Sequence, residues 1–367
     1  MKIALVHDHL AQDGGAENVL RAFSDIWPEA PIYVVVYDKN HANPYFLQRD
    51  IRTSFLQNAP FGVKKYQWYF SLMPAAVESF DLTEYDVVLS TSSSFAKGVI
   101  TRPGTMHVTY CHTPTRFLWS DTHSYVDELG VSRLFKKLLP IFLSRVRTWD
   151  RLASERADHY IANSKTVVDR IQKYYKRSSD LIYPPVQVSD FHVAKPEDVG
   201  EYFLAGGRLV PYKRFDLLIQ AFNKLGKPLK IYGSGPAMAQ LKKDAADNIE
   251  FLGRVPDEEL KRLYAECAAF LNPQEEDFGI TMIEALASGR PVIAYEKGGA
   301  SEIVDHGKTG LLVPHQTWED FADAIIGFDP QAWDSAVIQE KALTFNQDQF
   351  KNSIQSYIET KWEQFHD

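Results

Sequence analysis

Short apolar runs alternate with stretches of helical periodicity along this chain, and they do so in two successive blocks. The first block has runs at residues 3–6, 32–37, 87–90, 107–111 and from Tyr160, and closes at 181–186. The second has runs at 202–209, 229–235, 249–255 and 268–272, another at Val292, and one at 309–314. Between them lie amphipathic segments. One follows Gly14 and Gly15, with Val19, Leu20 and Phe23 on one face; another starts at Lys213, with Phe215, Leu218, Ile219 and Phe222. Strands that are apolar without interruption are buried on both faces, and helical crossovers between them make a sheet parallel. The pattern predicts an α/β fold of two doubly wound parallel sheets, over residues 1–187 and 200–344. A chain of 367 residues can bury two such cores. Residues 187–200 are polar, contain proline and lack periodicity, which reads as the linker. Phe350, Ile354, Tyr357 and Ile358 recur at helical spacing and predict a terminal helix over 345–367.

Charge narrows the possible partners. A formal net charge of −8, with no dominating basic stripe, argues against nucleic acid. Any phosphate would be held by a few local cations and backbone amides. The two cysteines, Cys111 and Cys267, are far apart and form no paired motif, which fits a reducing compartment. The opening residues turn polar too soon for a signal peptide and no run is long enough to span a bilayer, so the expected location is cytoplasmic. Residues 131–147 interleave Arg133, Lys136, Lys137, Arg145 and Arg147 with Leu134, Phe135, Leu138, Leu139, Ile141 and Phe142. Such a segment can lie on the anionic inner face of a membrane, or pack on its own domain with a solvated basic edge.

The chemistry concentrates in residues 273–293. Glu276 falls in a loop and Glu284 in the helix that follows, with Gly279 where that helix begins. Free N–H groups at a helix start favour an anion, and a carboxylate can accept from neighbouring hydroxyls. This combination suits a ligand with hydroxyls at one end and negative charge at the other. Two further turns follow strands: Gly14–Gly15, a plain βα turn or a place for close backbone approach, and His112, a loop cap or a ligand contact. His7 and His9 could share a strand face as a metal pair, although loop hydrogen bonding is the reading the sequence favours.

These motifs resemble family 4 of the retaining glycosyltransferases, which have the GT-B fold. The resemblance rests on Glu276 and Glu284, spaced as E-x7-E, and on Arg208 and Lys213, spaced as Arg-x4-Lys. The Gly14–Gly15 pair and the His112-Thr113-Pro114 turn sit where the family has them. Within the family, the start around His7-Asp8-His9 and the run from Tyr110 to Trp119 are similar to bacterial O-antigen and exopolysaccharide mannosyltransferases that use GDP-mannose. The resemblance implies two Rossmann-like domains facing a cleft, with the terminal helix crossing back to the first. It implies a nucleotide-sugar donor on the second domain and a glycan or lipid-linked glycan acceptor on the first.

The same resemblance distributes the roles. Arg208, at a strand end, and Lys213, in the first turn of the next helix, would hold the donor phosphates and stabilise the charge that develops as the anomeric bond breaks. Glu276, with the backbone N–H groups of Phe278, Gly279 and Ile280, would bind the transferred sugar, and Glu284 the ribose. The base would lie against backbone at Gly233, Arg254 and Val255, and His112 would reach the sugar's 6-hydroxyl. The chain contains no Asp-x-Asp triplet, the element that holds a metal in the metal-dependent transferases, so no metal and no other cofactor is expected. Rival readings are a UDP-glucose or UDP-N-acetylglucosamine transferase of the same fold, an epimerase-type relative, and a non-catalytic nucleotide or glycan binder. A glycosidase pair would need two facing carboxyls, whereas the resemblance implies that one acid would be aimed at the nucleotide.

Overall fold

The computed structural model describes residues 1–120, 122 and 133–366. They form two compact units, Met1–Pro185 with Phe350–Asp367, and Val186–Gln349.

The first unit holds a seven-stranded sheet in the order β3-β2-β1-β4-β5-β6-β7. Its strands are β1 (Ile3–His7), β2 (Ile32–Val34), β3 (Ile51–Thr53), β4 (Val87–Ser92), β5 (Met106–Cys111), β6 (His159–Ala162) and β7 (Asp180–Leu181). Every pairing in it is parallel. Every residue of the central strands β1, β4 and β5 is buried, as uninterrupted apolar strands require. Alternate residues serve opposite faces. Leu5 packs with Val19, Leu20 and Phe23 of the helix Gly15–Ile26, and Ala4 and Val6 pack with Leu139, Leu143 and Val146 of the helix Arg133–Ala153.

The terminal helix, Gln347–His366, seals the first of these faces. Phe350, Ile354 and Ile358 are buried in the same cluster as Leu5 and Phe23. The Phe350 ring stacks on Phe23 at 5.9 Å and meets Tyr110 edge-on at 5.8 Å. Burial of three such side chains contributes about 1.5–3 kcal/mol each.

The second unit holds six parallel strands in the order β10-β9-β8-β11-β12-β13. They are β8 (Phe203–Gly206), β9 (Leu229–Tyr232), β10 (Ile249–Gly253), β11 (Phe270–Asn272), β12 (Val292–Tyr295) and β13 (Gly310–Val313). Residues 187–200, expected as a linker, belong to this unit instead. Val186 N–H donates to the Phe345 carbonyl at 3.0 Å, Val188 is buried, and the Phe191 ring meets Tyr264 at 6.1 Å. The apolar residues scattered through the segment dock it without any periodic pattern.

Of the segment 131–147, Val131 and Ser132 lie outside the described residues. Further along, Leu139, Leu143 and Val146 are buried, while Ile141 and Phe142 are 55% and 40% exposed beside the exposed Arg145. Among the described residues no helix is long and apolar enough to cross a membrane.

Candidate active site

In the second unit two glycine turns lock backbone to backbone at the C-terminal strand ends, where doubly wound sheets bind ligands. Gly207 has φ +124° and Gly233 φ +104°. A Cβ at Gly233 would lie 1.8 Å from the Gly207 carbonyl oxygen, so this crossing tolerates no side chain. Gly233 N–H also donates to Gly253 at the end of β10, just before Arg254 and Val255. Arg254 is exposed and Val255 half-buried, followed by the helix Asp257–Glu266.

Lys213 was expected in the first turn of a helix. It instead ends a single 3-10 turn, Pro211–Lys213. Arg214 then takes a left-handed conformation at φ +53°, and the helix proper is Phe215–Leu225. Pro211 sets that early turn, and Arg214 breaks the helical path before Phe215 can continue it. The break turns the Lys213 ammonium back over Gly207, 3.4 Å from where a Cβ there would sit.

The ammonium meets Glu276. Lys213 Nζ lies 2.8 Å from Glu276 Oε1, with side chains 13% and 18% exposed. Gln274 Nε2 donates to the same Glu276 oxygen at 3.0 Å and to Asn272 Oδ1 at 2.7 Å. Asn272 and Gln274 are both buried, so the carboxylate is steered from behind by a fixed amide pair. Arg208 lies on the same strand-to-turn segment, but its side chain is exposed and has no ionic partner among the described residues. The structure therefore joins Lys213 to Glu276, and Arg208 does not enter that pair.

Phe278 is buried, and Gly279, at φ +111°, is the N-cap of the helix Ile280–Ala287. The loop before it is braced by Gly298 and Gly299, where added Cβ atoms would lie 2.1 Å and 1.8 Å from the carbonyl oxygens of Glu276 and Phe278. Nothing in the sequence pattern alone marked that glycine pair.

Glu284 sits in a different environment. Tyr264 OH donates to its Oε2 at 2.9 Å, and the Tyr232 and Tyr264 hydroxyls are 2.5 Å apart. Burial pushes the Glu284 carboxyl above its usual range, and the Tyr264 hydrogen bond offsets this only in part. A raised carboxyl pKa favours folding most in acid and withdraws stability as pH rises through the folded value. Glu284→Gln is therefore expected to raise the unfolding free energy of the unliganded protein near neutral pH, by about 1 kcal/mol. The gain should shrink in mild acid; an equal gain at both pH values, read by urea denaturation, would rule out burial of the charge as its cause.

In the first unit Gly14 is the extended N-cap of the helix Gly15–Ile26. Neither Gly14 nor Gly15 has a positive φ. What Gly14 supplies is space, since a Cβ there would come within 3.3 Å of Glu17 Oε2. His112 follows β5, half-buried, with Nε2 2.6 Å from Thr91 Oγ1. Burial pushes its pKa down to about 4, so the ring is neutral at physiological pH. His7 Nε2 lies 3.7 Å from Glu17 Oε1, and His9 Nε2 3.2 Å from Tyr66 OH. Each histidine is thus engaged within the protein, and among the described residues no group of three or more His, Cys, Asp or Glu side chains is placed to hold a metal.

Asp8 was not singled out from sequence, yet it builds the neighbouring turn. It accepts from Ser93, Ser94, Phe95 and Ala96 N–H at 2.7–2.9 Å. Burial opposes its charge, but the fields of His7 and these N–H groups outweigh that and lower its pKa.

The two parallel-sheet units have the GT-B fold. By its two halves the chain belongs to the glycosyltransferases: residues 13–190 match Glycosyltransferase Family 4 and residues 200–328 match Glycosyl transferases group 1. One relative is a GDP-mannose-dependent α-(1-6)-phosphatidylinositol monomannoside mannosyltransferase of Mycobacterium tuberculosis, 38% identical over 32% of this chain and 35% of the relative. Another is a D-rhamnosyltransferase of Pseudomonas aeruginosa, 39% identical over 50% of each chain. The matched stretches thus span half or less of these relatives' lengths. Among solved structures, an Anabaena protein in complex with UDP and glucose superposes with a TM-score of 0.73 at 20% identity, covering 98% of this chain and 99% of that one. That likeness concerns the fold.

Proposed function

We propose that this protein is a retaining mannosyltransferase that takes GDP-mannose and passes mannose to a glycan or lipid-linked glycan at the cytoplasmic face of a membrane. The observation that carries the reading is the Lys213–Glu276 pair, a cation and an acid held 2.8 Å apart at the end of a glycine-locked turn. A nucleotide sugar divides between these two groups. Its diphosphate draws on the Lys213 ammonium and on Arg208, free to close on a phosphate, while its sugar hydroxyls donate to Glu276. Phe278, Gly279 and Ile280 present backbone N–H groups at the helix start. Glu284, held by Tyr264, accepts from the ribose, and the base lies along Gly233, Arg254 and Val255.

In the reaction the acceptor hydroxyl attacks the anomeric carbon from the side on which the diphosphate leaves. The new C–O bond forms as the C–O(phosphate) bond breaks, the acceptor's proton passes to the departing phosphate oxygen, and the products are the glycoside and GDP. In the first unit His112, neutral and fixed by Thr91, offers a ring nitrogen to a sugar hydroxyl, and the Gly14–Gly15 turn leaves room for close backbone approach. No metal enters this scheme, because the cations are side chains.

The mycobacterial relative's named donor supports mannose, and the motifs around Tyr110–Trp119 point the same way. The Anabaena protein's UDP and glucose favour the rival donor. The two separate by ligand-induced stabilisation. GDP at 100 times its dissociation constant should raise stability by about 2.7 kcal/mol, with UDP giving no shift at equal concentration. The reverse order would move the assignment to a UDP-sugar.

The segment 131–147 is proposed to rest on the anionic membrane surface that carries the acceptor, a role consistent with exposed Ile141 and Phe142 beside Arg145. Replacing Lys136 and Lys137 by Glu should release the protein from phosphatidylserine-containing vesicles in a flotation assay. Unchanged flotation would return the helix to an ordinary surface role.

A further inference from the structure

A second cavity lies in the second unit at the opposite end of its sheet, away from the glycine turns. Phe203, Pro228, Ala268 and Arg290, which open β8 or lie one or two residues before β9, β11 and β12, all border it. Four-residue strands place it roughly 13 Å from the strand ends that carry Gly207 and Lys213. Its volume is about 700 Å³.

Arg290 is its notable wall. The side chain is only 5% exposed, its Nε is buried with no hydrogen-bond partner, and the guanidinium has no ion pair among the described residues. An unpaired charge costs several kcal/mol when taken from water, so a buried guanidinium of this kind persists only where solvent or an anion reaches it. Lys227 adds a second cation, its Nζ bonded at 3.3 Å to the Ile325 carbonyl. The carboxylates on this wall, Glu201 and Asp329, are both exposed and pair with neither cation. Phe328 and Trp333 stack at 5.8 Å and 19° to form an aromatic side.

We propose that this cavity binds a small organic anion with a flat apolar body, its charged group on Arg290 and its body against the Phe328–Trp333 wall. A guanidinium fork matches a carboxylate or a phosphate monoester, and the aromatic faces supply the remaining contact. The proposal is independent of the donor reading, since the two sites share no residue.

The test is thermal denaturation of the full chain with three probes: benzoate, phenyl phosphate and inorganic phosphate. Benzoate and phenyl phosphate should raise the midpoint saturably, and R290Q should weaken both roughly tenfold or more. Trp333→Ala should weaken benzoate and phenyl phosphate while leaving the smaller inorganic phosphate effect in place. Should R290Q fail to fold, Ser335→Asp serves instead. Ser335 borders the same cavity as Arg290, so a carboxylate there adds a negative charge to the wall that should repel the probes and abolish the shift. Stabilisation by nucleotide, measured on the same variants, should be unchanged. The absence of a saturable shift with all three probes, or an equal shift in R290Q, would overturn the proposal and leave Arg290 a solvated cation.

Discussion

Lys213→Ala is expected to lower turnover by about 10²–10³-fold, the usual cost of removing one preorganised electrostatic contact to a developing anion. The ammonium is placed by three local features: Pro211 tightening the turn, left-handed Arg214 ending it, and Gly207 leaving room beneath the lysine. Its partner Glu276 is held independently by Gln274 and Asn272, so the acid should stay in place when the cation goes. The loss should therefore fall on kcat more than on donor affinity. Lys213 lies in a turn outside the apolar cluster of its unit, so the unfolding midpoint should change little. Kinetics with a nucleotide-sugar panel decide the matter: turnover within a few-fold of the parent would remove Lys213 from the phosphate role.

Asp150→Ala should have the largest effect on stability, about 3–5 kcal/mol. Asp150 is fully buried and accepts from Lys97 Nζ at 2.6 Å, Thr115 Oγ1 at 2.8 Å and Trp119 Nε1 at 2.7 Å. Lys97 is 1% exposed, so removing the acid strands a buried ammonium. A loss of that size consumes much of the stability of an ordinary domain. The network also anchors the segment from Thr115 to Trp119, just beyond His112, so activity should fall together with stability. Changing both partners to apolar residues, Lys97→Met with Asp150→Leu, should recover most of the lost stability. An unfolding free energy for Asp150→Ala, from urea denaturation, within about 1 kcal/mol of the parent, on the scale of an exposed ion pair, would show that the pair is not isolated from water.

The two sheets were legible because interior parallel strands such as β1, β4 and β5 must be apolar on both faces, and little else reads that way. The edges were not. β3 pairs on one side only and is partly exposed, and β7 is two residues long, so neither carries an apolar signature. The candidate site could be proposed from sequence where its residues are close in sequence: Arg208 with Lys213, and Glu276 with Glu284. Those spacings gave the residues and not their contacts. The ion pair between Lys213 and Glu276, the Tyr264 hydroxyl on Glu284, and the Asp8 carboxylate gathering amides 85–88 residues away all depend on chain segments that meet only after folding. Lys213 itself was misplaced by one turn, because helical periodicity from Phe215 onward looked continuous through it, and only backbone dihedrals reveal the left-handed break at Arg214.

The path of the chain has a consequence for synthesis. The second unit is an insertion within the first, entered at Val186 and left at Gln349, and those crossings are stitched together, with Gln347 N–H donating to the Val186 carbonyl at 3.1 Å. Domains made on the ribosome usually complete themselves from the N-terminus onward. Here the order is reversed. The sheet begun at Ile3 waits, with Phe23 and Tyr110 uncovered, until Phe350, Ile354 and Ile358 emerge, while the inserted unit already has every strand it needs. A nascent chain halted before Phe350 would thus carry a finished second unit and an open first one, and that interval is when a holding chaperone has most to cover.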